Sequence, residues 1–491
     1  MEGIADRPFP PGEYPVVVVG SGPGGLQTSY SLSRLGVEHA VLSQDDRPGG
    51  MFRRWPIFER LLSWSETEAV AARGTAEYEL HDQNSLLADE PGARACVAEV
   101  MLGGDRTYIV PTRAEMEAGM AAYAERAGVA VRYGCSWEST RREDDGSLVL
   151  TTSDGEYRCR AAVFALGVTE PWKSAIPGVE DVPHYADVDR AKERYAKLDV
   201  IVIGKRNSAF ELADGLEPWA RRIVLISPRP VDTSVVSLST VRVRYMQPLE
   251  HHQIGGGTLA LDAAIERIER YGDGFRVHAS GTTRPGELVV EADVVIAATG
   301  FRAPLRDLAD LGVATVGQGR IPALTPFWES ATAPGIYFAG NATQGAAGLR
   351  RHGVGSSSAA VHGFRYNARL LARHLAQSLG HDILTARIEG GRAEHLLSVL
   401  TTAPDIWTQK AYLAHVLAED GSAETVPLAY FVDSVGPDAV AATIEMNASG
   451  QVYPVLYRRR GGDVTEHVLP PHPLRDYRAS EEHRREVASI I

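Results

Sequence analysis

Two glycine-containing turns are the parts of this sequence whose residue types and spacing could do chemistry. In the first, Gly20, Gly22 and Gly25 follow the apolar run PVVVVG and precede a stretch with helical periodicity. This is the spacing of a dinucleotide-binding turn. The first glycine allows a tight turn, the second lets the backbone approach a pyrophosphate, and the third lets helix and strand pack closely. The phosphates would face free N–H groups at the positive end of the helix.

A second turn of the same type lies in the segment DVIVIGKRNSAF. Gly204 ends an apolar run and Ala209 stands where the third small residue belongs, but Arg206 replaces the middle glycine. The guanidinium could bind phosphate oxygens in a fork, or it could point to solvent with the nucleotide slightly further away. Asn207 and Ser208 follow in the turn and join Gly204 and Arg206 as candidate nucleotide contacts.

The residues that follow the second strand of each unit bear on which nucleotide binds, since an acidic residue there usually holds a ribose. The first unit has Ser43 and Gln44 at this place; both can bond a hydroxyl, and Asp45 could serve by a shift in register. The second unit has LISPRP, in which Ser227 and Arg229 suit a 2′-phosphate. We therefore expect NADPH rather than NADH, with a merely solvated Arg229 as the alternative.

These turns need parallel strands and helices to hold them. Apolar runs without alternation, such as PVVVVG and VIVIG, are typical of strands covered on both faces. With the helices after them and the strands EHAVLS and RIVLIS, they predict two βαβ units. Further strands are predicted at residues 160–168, 291–301 and 335–343, and a long helix over roughly residues 356–379.

The sequence changes character after Gly380. Residues 392–418 are predicted to be helical. The segments VPLAYFVDSV, AVAATIEMN and QVYPVLYRR, joined by turn residues, predict successive strands of an antiparallel meander. This region is therefore expected to be a small α+β appendage.

Composition restricts the partners. The chain has 491 residues, a net charge of −13 and no long basic run, which argues against nucleic acid as a partner. No apolar run reaches the roughly 18 residues of a membrane span, and the N-terminus lacks the features of a signal peptide. Cys96, Cys135 and Cys159 lie far apart and form no C-x-x-C, which favours a cytoplasmic protein. No Cys/His spacing predicts a metal site.

The order of five motifs resembles that of a known family. GSGPGGL, RPGGMFRRWPIF, the turn at Gly204, VVIAATGF and IYFAGNATQGAAG follow one another as in the two-dinucleotide-domain flavoproteins. Over roughly residues 14–380 the chain looks most like the class that includes flavin-containing and N-hydroxylating monooxygenases. The resemblance implies that the first turn holds FAD, that the second holds NADPH, and that AATG is a hinge between the domains.

The resemblance also assigns further residues to the flavin. It implies that the segment of Gly49, Gly50, Met51 and Phe52 lies along the flavin. It places the junction of Gly340 and Asn341, where many relatives have Gly-Asp, beside the ribityl chain.

A fold class and a domain division follow. We expect an α/β protein with two Rossmann-like dinucleotide-binding domains, for FAD and NADPH, plus a small C-terminal α+β domain. The FAD-binding domain is expected in two parts, residues 1–170 and 295–384. The NADPH-binding domain would occupy residues 171–294, and the C-terminal appendage residues 385–491.

The reaction is inferred from what the chain has and lacks. Relatives that reduce disulfides through a dithiol use a C-x-x-C, so that mechanism is disfavoured. Oxygen activation remains, in which a flavin hydroperoxide donates an oxygen atom and no side-chain triad is needed. In IPGVEDVPHYADV, Gly178 and His184 resemble the F-x-G-x-x-x-H segment of the standard subtypes. However, the spacing is longer by two and the leading aromatic is missing, which leaves the N-hydroxylating and other less standard subtypes.

Two segments are candidates for substrate contact. In GNATQGAAGLRRHGVGSSS, the cationic side chains of Arg350, Arg351 and His352 could bind carboxylates, or they could be solvated or contact cofactor phosphate. The segment YELHDQNSLLADEP could line a substrate tunnel or be a polar loop.

Two functions therefore remain open. The first is an FAD- and NADPH-dependent monooxygenase that uses molecular oxygen to N-oxygenate a small carboxylate-bearing metabolite such as aspartate. The alternative is a flavoprotein NADPH oxidoreductase that passes electrons to a protein partner docked on residues 385–491. Assembly into a homo-oligomer is compatible with either.

Overall fold

The structure, a computed structural model, describes residues 7–58, 60–230, 257–346, 348, 356–388, 390–447 and 450–491. By its internal contacts the chain divides into two compact units. The first unit comprises Met1–Met51, Trp64–Val168 and Ala303–Ile491, and the second comprises Phe52–Ser63 and Thr169–Arg302.

The helices alternate with strands in the first half of the chain and cluster after residue 360. They are α1 (Pro23–Arg34), α2 (Cys96–Leu102), α3 (Arg113–Arg126), α4 (Asn207–Leu216), α5 (Val361–Ser378), α6 (Arg392–Thr402), α7 (Pro404–Thr408), α8 (Leu428–Asp433) and α9 (Glu481–Ile490).

The strands of the described residues fall into three large sheets and two small pairs. They are β1 (Gly12–Val19), β2 (His39–Ser43), β3 (Arg132–Tyr133), β4 (Trp137–Arg142), β5 (Leu148–Thr152), β6 (Gly155–Phe164), β7 (Glu170–Pro171), β8 (Asp199–Ile203), β9 (Arg222–Ser227), β10 (Thr258–Tyr271), β11 (Gly274–Gly281), β12 (Glu287–Ala292), β13 (Val294–Ala297), β14 (Phe301–Arg302), β15 (Thr315–Val316), β16 (Ile321–Pro322), β17 (Ile336–Phe338), β18 (Ala386–Arg387), β19 (Leu413–Ala418), β20 (Ser422–Pro427), β21 (Ala439–Met446), β22 (Val452–Arg460) and β23 (Asp463–Val468).

The first sheet contains the predicted βαβ unit of β1, α1 and β2. Strand β1 pairs in parallel with β2 and with β6, β2 pairs in parallel with β3, and β6 pairs in parallel with β17. Strands β4 and β5 extend this sheet as an antiparallel hairpin on β6. Val16, Val17 and Val18 of β1 are fully buried, which explains the apolar run without alternation.

The second sheet repeats the pattern in the second unit. Strand β8 pairs in parallel with β9 and β13, β9 pairs in parallel with β10, and β10 to β12 form an antiparallel extension. Helix α4 connects β8 to β9, so the second βαβ unit is also confirmed. A buried apolar cluster packs on this sheet and includes Ile201, Ile203, Val224 and Ile226.

The third sheet lies in the C-terminal region and is antiparallel, in the order β18-β20-β19-β21-β22-β23. The overall class is therefore the predicted one, with two Rossmann-like sheets and an α+β region. The division into four domains at the residue numbers given above stays a prediction.

Two sequence predictions in this region are wrong. Residues 392–418 are not one helical stretch, because α6 and α7 give way to strand β19. The segment VPLAYFVDSV is not a strand, because β20 ends at Pro427 and helix α8 follows. Strand β20 ends at Pro427, and the N–H of Leu428, the first residue of the helix, donates to the carbonyl of Tyr412 at 2.8 Å. The helix then buries Leu428 and Phe431, which an extended strand would have distributed differently.

Candidate functional site

Two glycines of the first turn are required by space. Gly20 has φ of +115°, and a Cβ built on it would lie 2.6 Å from the carbonyl oxygen of Ala165. A Cβ on Gly25 would overlap the carbonyl oxygen of Gly20. The turn between β1 and α1 therefore admits only glycine at both positions.

Gly22 is different, because the fold itself leaves room there. It is the N-cap of α1 with φ of −74° and ψ of 177°, an extended conformation open to any residue. A Cβ on it would meet only the Cα of Gly50, at 3.8 Å. No side chain of the described residues caps the helix, so the N–H groups of its first turn are free to face an anion. This is the open backbone that a pyrophosphate contact requires.

The segment that begins at Gly49 lies against this turn. The N–H of Gly49 donates to the carbonyl of Ser21 at 3.2 Å. Gly50 has φ of +56°, and its Cβ would stand 2.8 Å from the Cα of Gly22. Met51 and Phe52 follow in a short 3₁₀ helix, Gly50–Arg53, and are half-buried. The structure thus brings Gly50 to the first turn. That this segment lies along the flavin stays a prediction.

Gly340 and Asn341 also reach this turn. A Cβ on Gly24 would lie 2.5 Å from the backbone nitrogen of Gly340, so these two backbones touch. The side-chain Oδ1 of Asn341 is buried and accepts no hydrogen bond from the described residues. A buried acceptor without a donor lowers the stability of the folded protein by about 1–3 kcal/mol. A hydroxyl or N–H of a bound cofactor would supply that donor, so these residues fit FAD.

A buried hydrogen-bond network supports the Gly340 loop from behind. Thr343 Oγ1 donates to the carbonyl of Gly340 at 2.7 Å, and Asn367 Nδ2 donates to Thr343 Oγ1 at 3.0 Å. Gln409, from the C-terminal region, donates through Nε2 to Asn367 Oδ1 at 2.7 Å and accepts from the N–H of Ser357 at 2.8 Å. The sequence treated this region as an appendage and missed Gln409. The only signal was one glutamine in the stretch DIWTQKAYL.

The candidate ribose contacts of the first unit occupy different environments. Ser43 is buried, and its hydroxyl bonds the hydroxyl of Ser21 at 2.8 Å and accepts from the N–H of Asp45 at 3.2 Å. Gln44 is exposed. Ser43 therefore ties the end of β2 to the turn, while the side chain of Gln44 is open to solvent. The ribose contact stays a prediction.

The second turn lies between β8 and α4. Gly204 has φ of +137°, and a Cβ on it would lie 2.6 Å from the carbonyl oxygen of Ala298, so glycine is required. Arg206 is the N-cap of α4 with an extended backbone, and its side chain is exposed. Asn207 is exposed and Ser208 half-buried in the first helical turn. Arg206 replaces the missing glycine without backbone strain, and its contact with a nucleotide stays a prediction.

Lys205 anchors this turn and was missed by the sequence analysis. Its side chain is only 2% exposed and forms an ion pair with Asp262 of β10. It also donates to the carbonyl of Leu261 at 2.9 Å. The hydrogen bond from Lys205 lowers the pKa of Asp262. A lysine next to a glycine turn predicts phosphate binding as readily as an ion pair, so the sequence held no decisive signal.

The residues predicted to choose between NADPH and NADH lie at the end of β9. Ser227 ends the strand and is half-buried, and Arg229 is exposed two residues later. An exposed guanidinium at this place is available to a 2′-phosphate, and its role stays a prediction.

His184 has a structural role in the second unit. Its Nε2 donates to the carbonyl of Gly300 at 2.9 Å, and its Nδ1 accepts from the N–H of Ala186 at 3.0 Å. These two bonds require the neutral ring, and burial lowers the pKa of His184 accordingly. Its ring also packs edge-on against Phe301 at 5.1 Å. Both nitrogens are occupied, so the histidine of the IPGVEDVPHYADV segment holds the chain together rather than facing a ligand.

Of the two segments predicted to contact substrate, the structure describes only the second in full. Arg350, Arg351 and His352 lie outside the described residues. The polar groups of the segment YELHDQNSLLADEP bond to other parts of the first unit: Asn84 donates to Ser65 at 3.0 Å, and buried Arg365 donates to the carbonyls of Asp82 and Ser85 at 2.8 and 2.7 Å. This favours the polar-loop interpretation over a tunnel lining.

The three thiols are all buried and unpaired. Burial raises the pKa of Cys96 to about 11 and that of Cys159 to about 12, and it also raises the pKa of Cys135. At neutral pH they are protonated and poorly nucleophilic. In the described ranges, no cluster of His, Cys, Asp and Glu side chains is arranged to hold a metal ion. Among the described helices, none is long and apolar enough to cross a bilayer.

Comparison with known proteins identifies the family. Residues 17–340 match the pyridine nucleotide-disulphide oxidoreductases. The chain belongs to this family. It is 25% identical over 413 residues to FAD-dependent oxidoreductase domain-containing protein 2 of Danio rerio, a match that covers 73% of this chain but only 58% of the zebrafish protein. It is 24% identical to a ferredoxin–NADP reductase of Ralstonia pickettii over 66% of this chain and 79% of the reductase.

Solved structures agree on the fold of this family member. A flavin-containing monooxygenase from Stenotrophomonas maltophilia aligns with a TM-score of 0.56 and 20% identity, over 75% of this chain and 99% of that one. A bacillithiol disulfide reductase from Staphylococcus aureus aligns with a TM-score of 0.54 and 16% identity, over 74% of this chain and 99% of that one. By its family, this chain belongs among the flavin-dependent oxidoreductases, whose cofactors are FAD and NADP(H).

Proposed function

We propose that this flavoprotein is an NADPH-dependent monooxygenase that N-oxygenates the amine of a small carboxylate-bearing substrate, with aspartate as the first candidate. The observation that carries the proposal is the state of the thiols. Each cysteine is buried, has a raised pKa and lacks a C-x-x-C partner, so the chain offers no dithiol to pass electrons to a disulfide. Molecular oxygen is then the acceptor that the motif order favours.

The residues around the first turn would hold FAD. Free N–H groups at the start of α1 would face the diphosphate, and Gly22 would let the backbone come close to it. Asn341 Oδ1 would accept a hydrogen bond from the cofactor. Bound FAD supplies the chemistry, since it accepts hydride from NADPH and, once reduced, reacts with oxygen.

The residues around the second turn would hold NADPH. Arg206 would bind the pyrophosphate and Arg229 the 2′-phosphate, each with a planar fork of N–H donors. Lys205 would hold the turn in place through Asp262, because its own charge is already paired. The net reaction consumes one NADPH, one proton and one oxygen molecule per amine, and it yields the hydroxylamine, NADP⁺ and water.

The preference for an anionic substrate rests on sequence. Arg350, Arg351 and His352 form a cationic run between Asn341 and helix α5 in a chain of net charge −13. A guanidinium there would hold a substrate carboxylate in two parallel hydrogen bonds and so orient the amine.

A second candidate function is NADPH oxidation with electron transfer to a protein partner. The ferredoxin–NADP reductases among the relatives favour it, since the one from Salinispora tropica is 26% identical over 93% of its length. The buried bond from Gln409 to Asn367 speaks against residues 385–491 as a detachable docking module. For this candidate, the partner protein would therefore have to dock on a surface that residues 385–491 form together with the rest of the first unit.

The deciding experiment measures NADPH, oxygen, hydrogen peroxide and product mass together. Purified protein with FAD is given NADPH and a panel of amines and amino acids. A substrate that accelerates NADPH oxidation and gains 16 mass units without equivalent peroxide supports the monooxygenase. If no amine is oxygenated, whereas a ferredoxin accelerates NADPH oxidation, the second candidate is correct.

A cysteine-free variant supplies the control on electron flow. Replacing Cys96, Cys135 and Cys159 by alanine removes every thiol and should leave FAD reduction by NADPH and product formation intact. Loss of product formation by a folded, FAD-containing variant would contradict the argument from the thiols.

A further inference from the structure

Two cationic side chains share one indole ring in the C-terminal region. The Nζ of Lys410 lies 5.8 Å and the guanidinium carbon of Arg475 lies 5.4 Å from the centre of the Trp407 ring. Trp407 itself is buried, with 7% of its surface exposed. Within the part of the chain that the structure describes, neither cation forms an ion pair with a carboxylate.

The electrostatic environment of Lys410 is unfavourable for its charge. Burial, and then the charge of Arg475, lower the pKa of Lys410 to about 8. Its ammonium has three donors, and one of them bonds the carbonyl of Trp407 at 2.5 Å, at the end of helix α7. A helix-capping role accounts for that one bond. It does not account for the second cation on the same ring or for the missing counter-charge.

Two buried polar atoms near these cations also lack partners. Tyr477 Oη and His362 Nδ1 are buried without a hydrogen bond to any described residue. Tyr477 lies within the field of Arg475, and His362 within that of Lys410. Burial, with the charges of Arg365 and Lys410, lowers the pKa of His362 to about 3, so its ring is neutral. A neutral imidazole and a phenol can both donate to an oxyanion.

We propose that Lys410, Arg475 and Tyr477, with His362 at the inner end, form a binding site for a small anion through its carboxylate or phosphate group. The site lies where three segments meet: the start of helix α5, the turn between α7 and β19, and the residues before α9. An oxyanion there gives both cations a counter-charge and offers acceptors to the unpaired hydroxyl and imidazole. The proposal does not depend on the reaction proposed above.

The proposed anion site adjoins the hydrogen-bond network behind Gly340. Lys410 directly follows Gln409, whose side chain bonds Ser357 and Asn367 in the network behind Gly340. An anion held by Lys410 therefore binds one residue away from that network.

The test combines lysine footprinting with calorimetry on the full-length, FAD-containing protein. Inorganic phosphate, succinate and aspartate are the probes, and succinamide at equal ionic strength is the uncharged comparison. Reductive methylation followed by peptide mass spectrometry reports the reactivity of the Lys410 amine. We expect saturable protection of Lys410 by at least one of the three anions and none by succinamide. Protection by phosphate alone, or by the carboxylates, assigns the group that the site takes.

Three variants distinguish a specific anion-binding site from a general effect of charge. Lys410→Met and Arg475→Gln should each weaken binding of the protecting anion about tenfold to hundredfold, since each removes a charged hydrogen-bond donor. Lys173→Met is the matched control, because Lys173 also donates to a backbone carbonyl, that of Val182 at 2.6 Å, but lies in the second unit. It should leave the affinity unchanged.

Clear outcomes would overturn the proposal. They are the absence of saturable protection by all three anions, or equal affinity in Arg475→Gln and wild-type protein. Arg475 is exposed, so its replacement keeps the test valid if Lys410→Met does not fold.

Discussion

The substitution Gly22→Ala separates the requirements of the fold from those of the cofactor. The backbone of Gly22 is extended, and a Cβ would find only the Cα of Gly50 at 3.8 Å. Alanine is a somewhat poorer N-cap than glycine, but it also restricts the unfolded chain, and each effect is worth about 0.5–1 kcal/mol with opposite sign. The free energy of unfolding of the apoprotein should therefore change by less than about 1 kcal/mol.

The effect on FAD should be much larger. If the backbone at Gly22 lies against the pyrophosphate, the methyl group occupies that contact and displaces at least one charged hydrogen bond. Such a bond is worth about 1.5–3 kcal/mol. The dissociation constant of FAD should then rise about tenfold to hundredfold. Gly22→Val, with two further carbons, should weaken binding more.

The assay titrates apoprotein with FAD and follows flavin fluorescence, alongside denaturant unfolding of the same apoprotein. Two glycines of the same unit provide matched controls. Gly92→Ala places its methyl group in open space, so it should leave FAD affinity unchanged and change the free energy of unfolding by no more than about 1 kcal/mol. Gly25→Ala forces an overlap with the carbonyl oxygen of Gly20 and should lower apoprotein stability itself. Wild-type FAD affinity in both Gly22 variants would refute the placement of the pyrophosphate.

Three further predictions concern the second unit and the network. Arg229→Gln should raise KM for NADPH about tenfold to hundredfold and leave KM for NADH nearly unchanged. Replacement of another exposed arginine of the second unit, Arg270→Gln, is the control. Equal effects on both nucleotides would exclude a 2′-phosphate contact. Asp262→Asn should lower stability by about 2–3 kcal/mol, less than for a fully buried pair because Asp262 is 26% exposed. The pKa of Asp262 is lower in the folded protein than in the unfolded chain. The ion pair therefore stabilises the protein above the unfolded pKa of this carboxyl, and the stabilisation is lost as pH falls through the folded pKa. The denaturation curves of wild type and variant should then converge in acid. Gln409→Leu leaves the N–H of Ser357 without its acceptor and should speed FAD release from folded protein, whereas unchanged release would confine the network to a structural role.

The sequence by itself determined the local features of this protein. Gly20, Gly25 and Gly204 could be recognised because their requirement is local: each sits in a strand-to-helix turn where a Cβ meets nearby backbone. The two βαβ units could be recognised because strands covered on both faces leave a run of apolar residues. The family resemblance then pointed to FAD and NADPH as the cofactors.

Only the tertiary structure decided which distant groups meet. Gly24 is no part of the glycine fingerprint, yet it must be small because the Gly340 backbone lies against it. Lys205 finds Asp262, and Gln409 finds Asn367, across stretches of chain that sequence patterns treat separately. A buried polar side chain must be satisfied, but its type does not name its partner, because the topology of the whole chain brings the partner into reach. The helix Leu428–Asp433 follows the same logic, since burial of its apolar face outweighed the β propensity of its sequence.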